Sequence, residues 1–185
     1  MYGSTTNEAW VETLHKDNAK WAMLLVHLHT TANTGGVLMA TFDNANNNGI
    51  RVMSASAAPE RMELRVCKAS NVALINVRDE DFPLNNDVFN VDSLILDEAG
   101  GADASSFGRN GTTGTEFDGA YSSPDTTNAT GHLALGSVVA LDDGGTSNII
   151  PSGSAVAQFA MWQGTVPTRT AMNNLSNSVK TRYGL

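Results

Sequence analysis

The feature that most constrains the fold of this chain is a two-residue alternation of apolar and polar side chains. It is clearest in residues 61–67, where apolar Met62, Leu64 and Val66 alternate with charged residues. Successive side chains of a β-strand point to opposite faces, so the pattern predicts a strand with one buried and one solvated face. Similar runs occur at residues 9–14, 21–29, 36–42, 50–54, 72–77, 88–96, 132–135 and 155–162. Together they predict about ten strands.

Turn-forming residues separate these runs at intervals of roughly 8 to 12 residues. Asn48-Gly49 and Asn110-Gly111 are the strongest hairpin signals, because both residue types tolerate a positive φ. Many short strands at this spacing predict a β-sandwich or barrel.

Composition agrees with an all-β chain that forms one domain. The chain has 185 residues, of which 41% are apolar and 16% are charged. Asn, Thr, Ser and Gly together occupy 68 positions. This suits a turn-rich β protein better than a helical bundle, whose exposed faces carry Lys and Glu. We therefore predict a single domain over residues 1–185, with residues 1–7 as an N-terminal arm.

One segment near the C-terminus has helical periodicity. Met172, Leu175 and Val179 recur at three-to-four spacing, Thr168 can cap the start and Gly184 can end the helix. We predict a short closing helix over residues 168–183 that lies on the sandwich.

Charge and apolar patterning exclude several partners. The formal net charge of -8 disfavours a nucleic-acid phosphate backbone or an anionic membrane surface. The longest apolar stretch, residues 21–28, is far shorter than the roughly 20 residues that a membrane span needs. Residues 1–20 lack a basic start followed by an apolar run, so we expect no secretory signal. Cys67 is the single cysteine and cannot form an internal disulfide.

The order of the runs, with several short motifs, resembles a known superfamily. The motifs are Met62-Glu63-Leu64-Arg65-Val66, Leu94-Ile95-Leu96-Asp97, Phe107-Gly108-Arg109-Asn110-Gly111, Gly131-His132-Leu133-Ala134-Leu135-Gly136 and Ala157-Gln158-Phe159-Ala160-Met161-Trp162. They are similar to those of the concanavalin A-like lectin/glucanase superfamily, in particular its laminin G-like modules. The resemblance implies a jelly roll of two antiparallel sheets. Related modules occur in carbohydrate-binding proteins, glucanases, adhesion proteins, and virus and phage structural proteins, so the fold alone does not choose a function.

The residues required for glycoside hydrolysis are not evident. Catalytic relatives carry two carboxylates on one strand as Glu-x-Asp-x-x-Glu, and this motif is absent. The acidic groups at residues 79–81 and 97–98 are interpreted as solvated turns. A Gly-x-Ser-x-Gly nucleophile motif and phosphate-binding glycine loops are also missing. We predict that the protein is not an enzyme.

Metal binding has two weak signals. His27 and His29 would share one strand face, but no third ligand is evident, so we interpret them as surface or half-buried side chains. Laminin G-like relatives often bind calcium at the sandwich rim through Asp and backbone oxygens. The resemblance therefore makes Asp142 and Asp143, before Gly144, the candidate calcium ligands. No other cofactor is expected.

Sugar recognition requires an aromatic face together with groups that bind hydroxyls. The three tryptophans lie among apolar neighbours and are interpreted as core. Tyr121 lies between Gly119 and a Ser-Ser-Pro turn, so we expect its ring to be exposed. With Asp118 and Asn110 it forms the candidate glycan site.

Two non-catalytic functions follow, with an enzyme as a third. The first is a structural or decorating component of a larger assembly, such as a capsid decoration or fibre protein on a virion surface. Its partners would be copies of itself or capsid and tail proteins, with glycan adhesion as an added role. The N-terminal arm 1–7 favours this function, because such a terminus is ordered only by a neighbour. The alternative is a free-standing, extracellular carbohydrate-binding lectin-like module. The third is a relative of glycoside hydrolases or lyases.

Overall fold

The structure is a β-sandwich of two antiparallel sheets with one C-terminal helix, as predicted. The computed structural model describes residues 9–30, 36–41, 48–55, 59–68, 72–84, 87–122, 126–129, 131, 133–136, 138–139, 146–147 and 152–185. The predicted N-terminal arm 1–7 lies outside these residues. The strands are β1 Lys20–Leu28, β2 Gly36–Ala40, β3 Gly49–Ala55, β4 Arg61–Lys68, β5 Val72–Pro83, β6 Phe89–Asp97, β7 Ser105–Arg109, β8 Thr112–Phe117, β9 Ala134–Leu135, β10 Val138–Val139, β11 Thr146–Ser147 and β12 Ala155–Gln163. The helix α1 spans Arg169–Tyr183.

Each main sheet contains five described strands. The first sheet has the order β12-β1-β6-β7-β8, and the second has the order β5-β4-β3-β2-β9. Strands β10 and β11 form a separate pair. The apolar core lies between the two main sheets, and its largest fully buried side chains include Trp21 and Phe107.

Strand β1 is buried on both of its faces. Trp21, Met23 and Leu25 belong to the core between the sheets, whereas Leu24 and Val26 pack with residues of α1. This explains why β1 is almost continuously apolar, while β4 alternates.

Helix α1 covers the outer face of the first sheet. Its start is capped by the Thr168 hydroxyl, which accepts a hydrogen bond from the Ala171 N–H at 3.2 Å. Gly184 ends it with a left-handed φ of 68°. Met172 and Val179 are buried against the sheet, but Leu175 is 36% exposed. The buried stripe of the helix is therefore narrower than its sequence suggests.

The Asn110-Gly111 hairpin is confirmed. It joins β7 to β8 with φ values of 50° and 85°, as a tight turn with two left-handed residues requires. The Asn110 side chain also accepts a hydrogen bond from the Val91 N–H at 3.0 Å, which ties the turn to β6. For Asn48-Gly49, the adjacent residues 42–47 lie outside the described residues, and Gly49 itself begins β3.

Two local predictions are wrong. Residues 9–14 form a turn and the 3-10 helix Val11–Thr13 instead of a strand. Both the backbone N–H and the hydroxyl of Thr13 donate to the Trp10 carbonyl, so local bonds replace strand pairing. Residues 79–81 lie in strand β5 rather than in a solvated loop. Asp79 is fully buried there, and its carboxylate accepts a hydrogen bond from the Thr115 hydroxyl of β8 at 3.1 Å.

A charged cluster is buried between the sheets at one end of the sandwich. The Asp92 carboxylate accepts hydrogen bonds from Arg109 Nε at 2.6 Å, Arg109 Nη2 at 2.9 Å and His27 Nε2 at 2.7 Å. His27 and Asp92 have 0% exposure. Burial alone would raise the pKa of Asp92, but the Arg109 charge and the bond and charge of His27 outweigh it and lower the pKa to about 2.

His29 is fully buried as well, so the interpretation of both histidines as surface or half-buried is wrong. Its Nε2 lies 2.9 Å from the Ser54 hydroxyl, and its Nδ1 lies 3.2 Å from the Glu60 carboxylate. The two imidazoles can be buried because each has an acidic or hydroxyl partner from a distant part of the chain, Asp92 for His27 and Ser54 and Glu60 for His29, which the sequence spacing does not reveal.

We predict that Asp92→Asn lowers the free energy of unfolding by about 3–5 kcal/mol, because it leaves Arg109 buried without its counter-charge. Denaturant unfolding followed by fluorescence measures the change. The control is Asp97→Asn, which breaks a partly exposed pair with Lys20 and should cost less than about 1 kcal/mol. Equal losses in the two variants would contradict the role of Asp92 as the counter-charge of buried Arg109.

The lowered pKa of the Asp92 carboxylate predicts that the stability of the fold depends on pH. Its pKa is about 2 in the folded chain and about 3.9 when unfolded. The contribution of Asp92 is therefore complete above about pH 4 and is lost as the pH falls towards 2. Unfolding curves of the wild type measured between pH 5 and 2 should show this loss, and Asp92→Asn should show a smaller one.

Candidate functional site

A cleft lies at the end of the first sheet where β1 begins and β12 ends. Its volume is about 470 Å³, within the range of small-ligand sites. We call it the end cleft, and its lining residues are Thr13, Lys16, Asp17, Asn18, Ala19, Lys20, Gln163 and Gly164. The Gly164 N–H donates to the Lys20 carbonyl at 2.9 Å, which holds the two strand ends together.

Long-range hydrogen bonds hold the cleft wall that precedes β1. Trp21 Nε1 donates to the Leu14 carbonyl at 3.1 Å, and the Tyr121 hydroxyl donates to the Lys16 carbonyl at 2.6 Å. The Glu98 carboxylate accepts a hydrogen bond from the Asn18 N–H at 2.8 Å. The wall is therefore shaped before any ligand binds.

Asn18 has an unusual backbone conformation in this wall. Its φ is 60°, in the left-handed region that few residues other than glycine adopt. The bond from its N–H to Glu98 holds this conformation. Asparagine adopts this conformation more readily than most residues, as Asn110 does in its hairpin.

The backbone of Trp10 adjoins the end cleft, and the residue is 37% exposed. Its carbonyl accepts hydrogen bonds from Gln163 Nε2 at 3.3 Å and from the Thr13 hydroxyl at 3.0 Å, and both residues line the cleft. The interpretation of all three tryptophans as core is therefore wrong for Trp10, because the 3-10 helix replaces the predicted strand. Trp21 is fully buried, and Trp162 is partly buried against the apolar side chains that lie between the first sheet and α1.

The structure does not bring the predicted glycan residues together. Tyr121 is 8% exposed and packs in the core, so the expectation of an exposed ring is wrong. Asn110 and Asp118 lie at opposite ends of β8. Asp118 accepts a hydrogen bond from the Ala120 N–H and so closes a local turn. Tyr121 instead supports the end cleft from behind through its bond to Lys16.

The interpretation of Asp97 and Glu98 as a solvated turn is also wrong. Glu98 is 8% exposed, and its N–H donates to the Ala19 carbonyl at 3.0 Å. Asp97 pairs with Lys20 at 2.5 Å. Both residues therefore position the cleft. The sequence shows only that the pair follows the apolar run at residues 88–96, and the pairing of this strand with β1 is seen in the structure.

A serine, a histidine and a carboxylate lie in a row inside the sandwich, yet the row is enclosed. Ser54 is 0% exposed, and its hydroxyl oxygen accepts a hydrogen bond from the Gly36 N–H at 2.8 Å in addition to its contact with His29. Glu60 is 4% exposed. A catalytic nucleophile must reach its substrate, and this serine is enclosed. The hydrogen bonds of the row therefore serve a structural role and connect β1, β2 and β3.

No described group of three His, Cys, Asp or Glu side chains is placed to hold a metal ion. The candidate calcium ligands Asp142 and Asp143 lie outside the described residues, so calcium binding stays a prediction. In the part of the chain that the structure describes, no helix is long and apolar enough to cross a membrane.

Solved structures with the same architecture place this chain among known folds. The fold is a lectin-like jelly roll. A heptameric SAP-like pentraxin from Limulus polyphemus matches with a TM-score of 0.61 and 10% identity, over 85% of this chain and 69% of the pentraxin. The CBM40 of the Ruminococcus gnavus IT-sialidase, bound to α2,3-sialyllactose, matches with a TM-score of 0.57 and 11% identity, over 85% and 83%.

A Trypanosoma rangeli sialidase matches with a TM-score of 0.55 and 9% identity, over 88% of this chain but only 23% of that enzyme. No protein-family model matches the sequence, and no curated protein is significantly similar to it. These likenesses establish the fold, which agrees with the superfamily that the sequence motifs resemble.

We predict that Tyr121→Phe weakens the cleft wall. Loss of the hydrogen bond to the Lys16 carbonyl should lower the free energy of unfolding by about 1 kcal/mol. Burial, with smaller effects of the Glu98 and Asp17 charges, raises the pKa of Tyr121 well above its usual value. The stabilisation is therefore complete below about pH 10 and is lost as the pH rises further. Unfolding at pH 8 and pH 11 tests this, with exposed Tyr183→Phe as the control that should change neither value.

Proposed function

We propose that the protein is a non-catalytic carbohydrate-binding module and that the end cleft holds the sugar. The observation that carries the proposal is a preformed polar cleft next to the exposed residue Trp10, whose backbone carbonyl accepts hydrogen bonds from the lining residues Thr13 and Gln163. An aromatic face stacks on the apolar face of a pyranose ring, while side-chain amides, hydroxyls and carboxylates bind its hydroxyl groups. Thr13, Asp17, Asn18 and Gln163 supply these polar groups.

The size of the cleft supports a short saccharide. A volume of about 470 Å³ suits a ligand of one or two sugar rings rather than a buried polymer. Its wall is held by bonds from Trp21, Tyr121 and Glu98. Such a wall needs little ordering when a ligand binds, which favours affinity.

The chemistry of the cleft supports binding without cleavage. Hydrolysis of a glycosidic bond requires two carboxylates on opposite sides of the bond. Among the described lining residues, Asp17 alone carries a carboxylate. The CBM40 neighbour, which is bound to sialyllactose, matches over most of its length, whereas the sialidase matches over a small part.

The assembly role stays a prediction. None of the solved structures named above is a virus protein, and the arm at residues 1–7 lies outside the described residues. The heptameric pentraxin supports self-association as part of the proposal, and a lectin-like module of this kind would act outside the cell or at a surface.

We predict that Trp10→Ala reduces the affinity for a bound neutral oligosaccharide by about tenfold or more, because it removes the stacking face. A glycan array identifies the oligosaccharide, and titration calorimetry measures the dissociation constant. Gln163→Ala should weaken binding as well. The matched control is Tyr183→Ala, which removes an aromatic of similar exposure, 40%, from the far end of α1.

The possible outcomes are distinct. Binding that Trp10→Ala leaves unchanged would place the sugar elsewhere. A folded wild type that binds no glycan on a broad array would refute the function itself.

A further inference from the structure

Strand β12 lies at the edge of the first sheet, and only one of its two sides is paired. It pairs with β1, and no other strand among the described residues lies on its outer side. An edge strand presents a row of backbone N–H and C=O groups that can pair with another chain. Strand β12 has nine residues, so this row is longer than that of an average strand.

The hydrogen bond at the end of the strand shows which backbone groups face outward. The Gly164 N–H donates to the Lys20 carbonyl at the start of β1. Successive residues of an antiparallel strand point their backbone groups to alternate sides, and the register with β1 is regular here. The N–H and C=O groups of Phe159, Met161 and Gln163 therefore point away from β1. None of the described residues forms a hydrogen bond with these groups.

The edge strands β5 and β8 are protected against such pairing, whereas β12 is not. Strand β5 carries the charged residues 78–81 and ends in proline, and its Asp79 accepts a hydrogen bond from Thr115 of β8. Charges and proline are the devices by which natural proteins protect edge strands. Strand β12 contains no charged residue, glycine or proline. A bulge near its start leaves residues 158–163 in regular register.

The apolar side chains of β12 are incompletely covered at this edge. Phe159 and Met161 pack against the core between the sheets, and Trp162 packs against the apolar side chains next to α1. All three stay partly exposed, whereas Leu24 of the neighbouring β1 is buried. Removal of apolar surface from water favours association. A partner at this edge would therefore bury apolar surface on both faces of the sheet.

These features fit a second copy of the chain better than a separate peptide. Two copies related by a two-fold axis present the same groups at the same spacing, so the edge is complementary to itself. A second β12 also brings its own sandwich, which continues both apolar faces, whereas a peptide would leave its own outer side unpaired. The strand is uncharged, so two chains of net charge -8 can meet here without opposing like charges across the strands.

The size of this side of the sandwich fits a weak dimer. The nine residues of β12 span about 30 Å, and two sheets packed about 10 Å apart make the side roughly 20 Å thick. The resulting area of about 600 Å² per copy is at the lower end of the range for specific interfaces, which bury about 1,200 Å² or more in total. We therefore expect a dimer that forms at micromolar concentrations.

From this geometry we infer that the outer edge of β12 is a self-association surface, where two copies pair their β12 strands antiparallel around a two-fold axis. Outward groups must lie opposite outward groups, so Phe159 lies opposite Met161 of the partner subunit on each side of the axis. These two pairs form about four hydrogen bonds. Ala160 lies at the axis, opposite Ala160 of the partner subunit. Self-association is part of the proposed function, but this surface rests on the strand alone and not on sugar binding in the end cleft.

Analytical ultracentrifugation of the full chain tests the association. We expect the wild type to dimerise with a dissociation constant of about 1–100 µM. Ala157→Lys places a charge at an exposed position of the edge and should raise this constant by about tenfold or more. The matched control is Ala171→Lys, the same change at an exposed position of α1, which should leave the constant unchanged. Added salt should strengthen the wild-type dimer, because it screens the repulsion between two acidic chains.

Disulfide cross-linking of Ala160→Cys tests the register. Opposed residues that lie between hydrogen-bonded pairs have Cα atoms about 4.5 Å apart, which is within the range that a disulfide spans. Mild oxidation should therefore convert most of this variant into a covalent dimer, seen on a non-reducing gel. Ala171→Cys is the control and should form much less of it. The native Cys67 is buried, so the wild type should form none.

Three results would overturn the inference. They are a wild type that stays monomeric at about 200 µM, an association that Ala157→Lys leaves unchanged, and equal cross-linking of Ala160→Cys and Ala171→Cys. Thermal unfolding establishes that each variant is folded, and if Ala157→Lys fails to fold, the cross-linking decides. Trp10→Ala should leave the dimer unchanged. Failure of the proposed sugar binding would therefore be seen in the glycan measurements alone, with the dimer still present.

Discussion

The burial of strand β1 on both faces is the constraint on which the rest of the structure depends. Its odd-numbered side chains, such as Met23 and Leu25, fill the space between the sheets, and its even-numbered ones, such as Leu24, lie under α1. The strand pairs with β6 on one side and β12 on the other. Polar groups gather at both of its ends. The end cleft opens where the strand begins at Lys20, and the Asp92 cluster forms near His27, where it ends.

The sequence predicts the architecture well because strands, turns and helices each depend on residues that are close together in the chain. Alternation in β4 identifies a strand and its wet face, and the Asn110-Gly111 pair identifies a hairpin by the backbone angles it permits. The closing helix is predicted from its periodicity and its Thr168 cap. These signals involve residues close together in the chain, so a single sequence contains them in full.

The candidate site is predicted poorly because it is made by contacts between distant residues. Tyr121 is buried because its hydroxyl reaches Lys16, 105 residues away, and Glu98 is buried because it meets Asn18 from 80 residues away. The exposure of Trp10 depends on a 3-10 helix whose residues also fit a strand pattern. His27 finds Asp92 at a separation of 65 residues. No local pattern states which polar side chains will meet across a sandwich.

The coverage of one sheet by α1 has a consequence for how copies of this chain can meet. Among the described residues, no α-helix lies across the outer face of the second sheet. Sheet-on-sheet stacking of two copies through the first sheet is blocked, because its outer apolar side chains, such as Leu24 and Val26, already lie under α1. Stacking of that kind would have to use the second sheet, whose outer face carries the ion pairs of Glu63 with Arg65 and Arg78.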